Sequence, residues 1–147
     1  MYKRQAFKNL PRAPQPIVER ISWLVLMKLL PSLVEKDITG FGQALTEIQK
    51  LVGDCFAAVQ GGRFANTLSS RLILKMIEWG ALGAGQSSWG PVVYGLVEGE
   101  GRALELAKTA GAFLACNDGG RVFAAQADNS GAFIKYVQNG LNIENID

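Results

Sequence analysis

Twelve residues in the middle of the chain, Gly80-Ala81-Leu82-Gly83-Ala84-Gly85-Gln86-Ser87-Ser88-Trp89-Gly90-Pro91, hold the side chains best suited to gripping a small ligand. Glycines carry an entropic penalty in strands, so several beside hydrogen-bonding side chains point to a backbone that must approach something closely. Backbone N–H groups, the Ser87 and Ser88 hydroxyls and the Gln86 amide would offer many donors without formal charge, which suits anionic oxygen. Arg71 and Lys75, one turn apart on the preceding predicted helix, would add positive charge nearby. The competing reading is a glycine-bulged hairpin with Trp89 packed on the core and the serines capping turns. Neither G-x-x-x-x-G-K-[ST] nor a G-x-G-x-x-G between a strand and a helix is present, so an ordinary nucleotide site is unsupported.

Other chemistries are excluded by composition. Histidine is absent, which removes Ser-His-Asp and Cys-His nucleophiles and His-liganded metals, and leaves acid-base work to carboxylates, lysines or water. Cys55 and Cys116 lie far apart with no Cys-x-x-Cys spacing, so buried free thiols in a reducing cytosol are expected. Fifteen Lys plus Arg against thirteen Asp plus Glu give +2, too balanced for a nucleic-acid or anionic-membrane partner. With 147 residues, 48% hydrophobic and 19% charged, the chain is long and apolar enough for one folded domain. The longest uncharged stretch, Trp79 to Val97, is interrupted by glycines and Pro91 and does not read as a membrane span. Ile21 to Val34 is short, holds Lys28 and Pro31, and follows no signal pattern. A cytoplasmic protein is expected.

The elements that must position the loop follow from apolar spacing. Residues 1–16 hold Pro11, Pro14 and Pro16 and read as a linker. From Ile17 to Glu35 apolar residues recur at three and four on more than one side, which predicts a helix that Pro31 kinks or cuts. Asp37 is placed to cap a second helix, with Ile38, Phe41, Leu45, Ile48, Val52, Cys55 and Val59 as one stripe, ended by Gly61-Gly62. A third runs from about Asn66 or Thr67, with Leu68, Leu72, Met76 and Trp79 on one face and Gly80 closing it. Val92 to Val97 has strand propensity, Glu100 to Ala115 returns to helical spacing, Asn117 to Gly120 is a turn, and Arg121 to Ala127 is a predicted strand. This order suits an α+β domain with helices on a small, mostly antiparallel sheet. Asp37 reads as a helix cap, Asp128 as a turn residue or a group near the cleft, and Arg63 as a side chain able to grip an anion.

Gly-Ala-x-Gly-Ala-Gly-Gln-Ser-Ser-Trp-Gly-Pro-x-Val-Tyr-Gly, from Gly80 to Gly95, resembles the C-terminal glycine-rich motif of the GHMP kinase superfamily in the form found in β-ribofuranosylaminobenzene 5'-phosphate synthases. Leu29 to Leu33 followed by Asp37, Phe41-Gly42 with Ala44 to Gln49, Gln60-Gly61-Gly62 and Ala127-Asp128-Asn129 are similar to that family's C-terminal half, so the likeness spans roughly Ala6 to Gly131. The resemblance implies a ferredoxin-like GHMP C-terminal domain over 17–132, with a tail at 133–147. It implies an enzyme that joins phosphoribosyl pyrophosphate to the ring of 4-aminobenzoate or 4-hydroxybenzoate, releasing pyrophosphate and CO2, in tetrahydromethanopterin biosynthesis. Gly83, Gly85, Gln86, Ser87, Ser88, Trp89 and Gly90 would then line the substrate cleft. Mg²⁺ would belong to the full-length enzyme, and the superfamily's N-terminal Pro-x-x-x-Gly-Leu-Gly-Ser-Ser-Ala loop has no counterpart here. That difference, with the opening Met1-Tyr2-Lys3-Arg4-Gln5, leads to the expectation of a truncated gene product, inactive alone, that lacks its N-terminal partner domain and could form a homo-oligomer. A non-catalytic binding or dimerisation module and a small-molecule kinase of the superfamily are the alternatives.

Overall fold

The structure, a computed structural model, describes residues 10–117 and 119–132. The first nine residues of the predicted linker, Asp118 of the predicted turn and the tail 133–147 lie outside the described residues. The architecture is α+β, with helices packed on a two-stranded antiparallel sheet. In chain order it runs α1 (Gln15–Leu24), one π-helical turn (Val25–Leu29), α2 (Leu30–Val34), α3 (Ile38–Gln60), α4 (Thr67–Glu78), β1 (Gly83–Gln86), β2 (Val93–Leu96) and α5 (Glu100–Ala115).

The first helix starts at Gln15, before the expected Ile17, because Pro16 sits in the first turn, where no N–H is needed. Pro31 neither cuts nor sharply ends the run. Proline cannot donate to the carbonyl four residues back and its ring crowds that carbonyl. One π turn lies immediately before it, where the Leu30 N–H bonds the Val25 carbonyl five residues back. The Asp37 side chain accepts from the Gly40 N–H at 2.9 Å, as its N-cap position predicts. Asn66 caps α4 in the same way, accepting from Ser69 N–H at 2.7 Å. Gly80, at φ +94°, closes α4: its N–H bonds Ile77 O at 3.0 Å while Ala81 N–H bonds Met76 O at 2.8 Å.

β1 and β2 pair with Gly83 opposite Leu96 and Gln86 opposite Val93. A two-stranded sheet leaves an outer edge of unpaired N–H groups, and helix α3 covers the outer edge of β1. Ala84 N–H donates to Thr46 Oγ1 at 2.9 Å and Gln86 N–H to Gln49 Oε1 at 3.2 Å. The approach is close enough that a Cβ on Gly42 would meet the Leu82 carbonyl oxygen at 2.3 Å. All of β1 is buried as a result.

The main core lies between the sheet, α4 and α5, and contains Leu72, Ile73, Met76, Ala84, Leu106 and Leu114. Leu24 and Ala44 are buried where the first helical run packs on α3. Three expectations are corrected. The stripe Ile38 to Val59 is only part-buried, and the fully buried positions of α3 are Gly40, Gly42, Ala44 and Gly53, because small side chains let the backbones of α3 and β1 meet. Arg121 to Ala127 forms no strand: it is irregular and exposed, with Phe123 82% exposed. β-propensity needs a partner strand and a face to pack on, and among the described residues this segment has neither. The cysteines are also less buried than expected, Cys55 being partly covered and Cys116 exposed, both as free thiols.

Candidate functional site

Gly42, Thr46, Gln49 and Gly53 are spaced four, three and four, which places them on one face of α3. The first three lie along β1. Gly53 lies one step further, where a Cβ would be 2.4 Å from the Arg63 carbonyl oxygen. Beyond the sheet this face bounds a cleft of about 240 Å³. Gln49, Val52, Phe56 and Gln60 form its α3 side, Arg63 and Phe64 its floor from the α3–α4 connection, and Gln86, Ser88 and Trp89 its opposite wall.

Of the seven residues expected to line a cleft, Gln86, Ser88 and Trp89 do so. The others serve the backbone around it. Gly83 lies against Gly42, where a Cβ would meet the Gly42 carbonyl oxygen at 2.6 Å. A Cβ on Gly85 would come 2.6 Å from both Gln49 Cγ and the Tyr94 hydroxyl. Gly90, at φ +67°, approaches Ala65 and the Gln86 amide. Ser87 is exposed, and its backbone closes the turn through Ser87 N–H to Val92 O at 2.9 Å and Gly90 N–H to Ser87 O at 3.0 Å.

Gln86 is 5% exposed and holds the loop together. Its Oε1 accepts from Ala65 N–H at 2.6 Å, and its Nε2 donates to the Ser88 carbonyl at 3.0 Å. Ser69 Oγ adds a bond to Pro91 O at 3.4 Å. Ser88 is held at φ +54°, a left-handed value uncommon outside glycine. Most donors that the glycine-rich segment was expected to offer an anion are therefore bonded within the fold: the N–H groups of Ala84, Gln86, Ser87 and Gly90, and the Gln86 amide.

Trp89 packs edge-to-face on Phe56, centroids 5.3 Å apart at 79°, so it shapes the cleft wall and is not part of the main core. Arg63 Nε and Nη2 grip the Asp54 carboxylate at 2.7 and 3.0 Å. The hydrogen bond to Asp54 raises the Arg63 pKa further, keeping the guanidinium charged throughout. Arg71 and Lys75, expected near the loop, are engaged elsewhere. Arg71 donates to Asn117 Oδ1 at 3.0 Å over the Phe113 ring, and Lys75 pairs with Glu78. Asp128 accepts from the Ser130 hydroxyl and from the Ser130 N–H in an exposed turn, and these hydrogen bonds, the hydroxyl's first, lower its pKa; it does not line the cleft. Val52, Phe56, Gln60 and Phe64 were not singled out as site residues. The readable signal was the small and polar face of α3, whose glycines interrupt an otherwise apolar helix.

Among the described residues no three His, Cys, Asp or Glu converge to hold a metal ion. The Mg²⁺ that the resemblance implies would find no acidic cage among the described residues. No helix is long and apolar enough to cross a membrane, among the described residues.

Comparison with curated proteins finds a beta-ribofuranosylphenol 5'-phosphate synthase of Methanothermobacter thermautotrophicus, 37% identical over 123 residues, covering 82% of this chain and 35% of that protein. This chain is homologous to part of these synthases. A second beta-ribofuranosylphenol 5'-phosphate synthase, from Methanocaldococcus jannaschii, is 34% identical over 90 residues, 60% of this chain and 25% of that protein. The chain thus spans about a third, or less, of the synthases it matches. The homology agrees with the synthase-type motif at Gly80 to Gly95 and makes the relatives of this α+β unit enzymes. No family model matches the chain, and no solved structure does.

Proposed function

We propose that this chain is one part of a phosphoribosyl-transfer synthase and supplies a wall of its substrate cleft. The observation that carries the reading is the 37% identity over 123 residues, since a match of that length in this chain must take in α3, the glycine-rich loop and both strands. Phosphoribosyl pyrophosphate and a 4-substituted benzoate are the substrates, and the phenol in the relatives' name favours 4-hydroxybenzoate over 4-aminobenzoate. A bond forms between ribose C1 and the ring carbon bearing the carboxylate, the C1–O bond breaks to release pyrophosphate, and the carboxylate leaves as CO2 with its bonding pair returned to the ring. The product feeds tetrahydromethanopterin biosynthesis in the cytoplasm.

In this reading Ser88 and Trp89 face substrate, while Gly83, Gly85, Gln86 and Gly90 set the loop on α3. Ser87, at the exposed tip, faces the rest of the enzyme. The cleft contributes orientation by preorganised groups. Acid-base chemistry and Mg²⁺ belong to residues beyond this chain. The test is a chimera in which residues 10–132 replace the matching segment of the Methanothermobacter synthase, assayed for pyrophosphate release from the two substrates. The expected result is activity that falls at least tenfold with Trp89→Ala. A folded but inactive chimera overturns the reading.

A further inference from the structure

We infer that the outward face of the first helical run, from Trp23 to Val34, is the surface on which a second copy of this chain docks, the two runs lying antiparallel about a two-fold axis. This pairing does not depend on the synthase reading.

The face is kept free of charge. Between Trp23 and Val34 the run holds a single charged residue, Lys28, and its Nζ is turned onto α3, where it donates to Gln43 Oε1 at 3.0 Å. Arg20, just before this stretch, is drawn to the same helix, with Nε donating to Glu47 Oε1 at 2.8 Å. Outward remain Trp23, Leu26, Met27, Leu30, Leu33 and Val34, each 44–81% exposed and recurring at three and four, as the seam of a helix pair does. Together they leave on the order of 750 Å² open, more than a monomer commonly tolerates and close to what each partner brings to a standard interface. The face also lies away from the cleft. At about 100° per residue, Gln43, Ala44 and Glu47, which meet the run, stand nearly opposite Gln49, Phe56 and Gln60, which line the cleft, around α3. A segment that completes the cleft therefore approaches from the other side of α3 and leaves this face uncovered.

Charge at the two ends selects the partner and its direction. Glu19-Arg20 stands at the start of the face and Glu35-Lys36 at its end. Among the described residues neither Glu19, Glu35 nor Lys36 pairs with an opposite charge. An antiparallel register centred between Met27 and Lys28 brings Glu19 of each copy opposite Lys36 of the other and Arg20 opposite Glu35. It also lays Trp23 near Leu33 of the other copy. Parallel runs would set Glu19 against Glu19 and Lys36 against Lys36, which repels at both ends. The same contacts recur on both sides of the axis, so the pair closes as a dimer. A lipid surface fits this face less well, since it is served by Lys and Arg along the rim, and Arg20 and Lys28 are turned onto α3 instead.

The test is sedimentation equilibrium of the full 147-residue chain over about 1–100 μM, the weak end of the range for interfaces of this size. A reversible equilibrium between monomer and dimer is expected, and reading it on the unaltered chain needs no variant. Leu26→Glu, at an exposed position outside the core, should weaken the dimer about a hundredfold by placing a charge in the dried seam, with an unchanged circular dichroism spectrum. At low salt Glu19→Lys or Lys36→Glu alone should weaken it a few-fold, and the two together should restore it. A monomer throughout the range, a dimer indifferent to Leu26→Glu, or an open series of larger species would each overturn the inference. So would a double charge reversal that fails to restore pairing, because it removes the antiparallel order. A monomer that pellets with phosphatidylserine-containing vesicles would overturn it in favour of a lipid surface.

Discussion

At Gly42 the distance between helix and strand is set by a missing side chain. A Cβ there would lie 2.3 Å from the Leu82 carbonyl oxygen and 2.9 Å from Gly83 N, both backbone atoms that cannot turn aside. Gly42→Ala should therefore force α3 off β1 and cost roughly 1–3 kcal/mol, as overpacking does, read as a lower urea midpoint. Gly101→Ala is the control: nothing lies within 4 Å and the site is helical, so the change should be neutral or stabilise by up to about 1 kcal/mol. Tyr94 gives a pH signature. Burial raises its phenol pKa above the ordinary 10.0, so the unfolded chain ionises first as pH rises. The contribution of the neutral phenol is full below that ordinary value and declines between it and the raised value. Denaturation midpoints measured from pH 8 upward should fall above about pH 10, and Tyr94→Phe should flatten that part of the fall. An unchanged profile in Tyr94→Phe would contradict the assignment.

Among the elements, α3 has two jobs that favour different residues. One side carries the part-buried apolar stripe, and the side toward β1 carries Gly42, Thr46, Gln49 and Gly53, which replace the partner strand the sheet edge lacks. The loops around the cleft depend on where α3 stops and α4 starts. Asn66 sits directly after Ala65, whose N–H anchors Gln86. Loss of an N-cap costs about 1 kcal/mol. Asn66→Ala and Asp37→Ala should thus destabilise by similar amounts in thermal melts. Only Asn66→Ala should also change the fluorescence of Trp89, because Asp37 caps the far end of α3. Equal spectra for the two variants would show that the loop is held independently of the α4 cap.

For the whole molecule, the most informative feature is the apolar surface of the first helical run. Trp23 is 49%, Leu26 62%, Met27 63% and Leu30 44% exposed, on one continuous run with Leu33 and Val34. Soluble monomers rarely leave such large side chains contiguous and uncovered. The purified chain should therefore bind 8-anilinonaphthalene-sulfonate or sediment above monomer mass, and Leu26→Glu with Met27→Glu should reduce whichever is seen. A monomer that ignores the dye would show that this face is stable in water. The chain should also release no pyrophosphate from phosphoribosyl pyrophosphate and 4-hydroxybenzoate by itself, since it matches only 35% of the synthase. Turnover above a no-enzyme blank would show that the remaining length is dispensable.

Local rules made much of the fold legible from sequence. Capping carboxylates, glycines after the last helical turn and apolar spacing at three and four act within a few residues, so the helices, the Asp37 cap, the start of α4 near Asn66 and the β1–β2 hairpin could be read directly. The Gly80–Gly95 motif likewise pointed to the synthases, and Ser88 and Trp89 to a cleft. Nonlocal contacts decided the rest. Whether Gln86 offers its amide to a ligand or bonds Ala65 and Ser88 depends on a segment 21 residues away in sequence. Whether Arg121 to Ala127 becomes a strand depends on finding a partner edge, and none pairs with it among the described residues. The buried side of α3 was misread because apolar spacing measures hydrophobicity, whereas the approach of two backbones is limited by side-chain size. That contact joins α3 to the loop and creates the cleft, and only the tertiary structure could supply it.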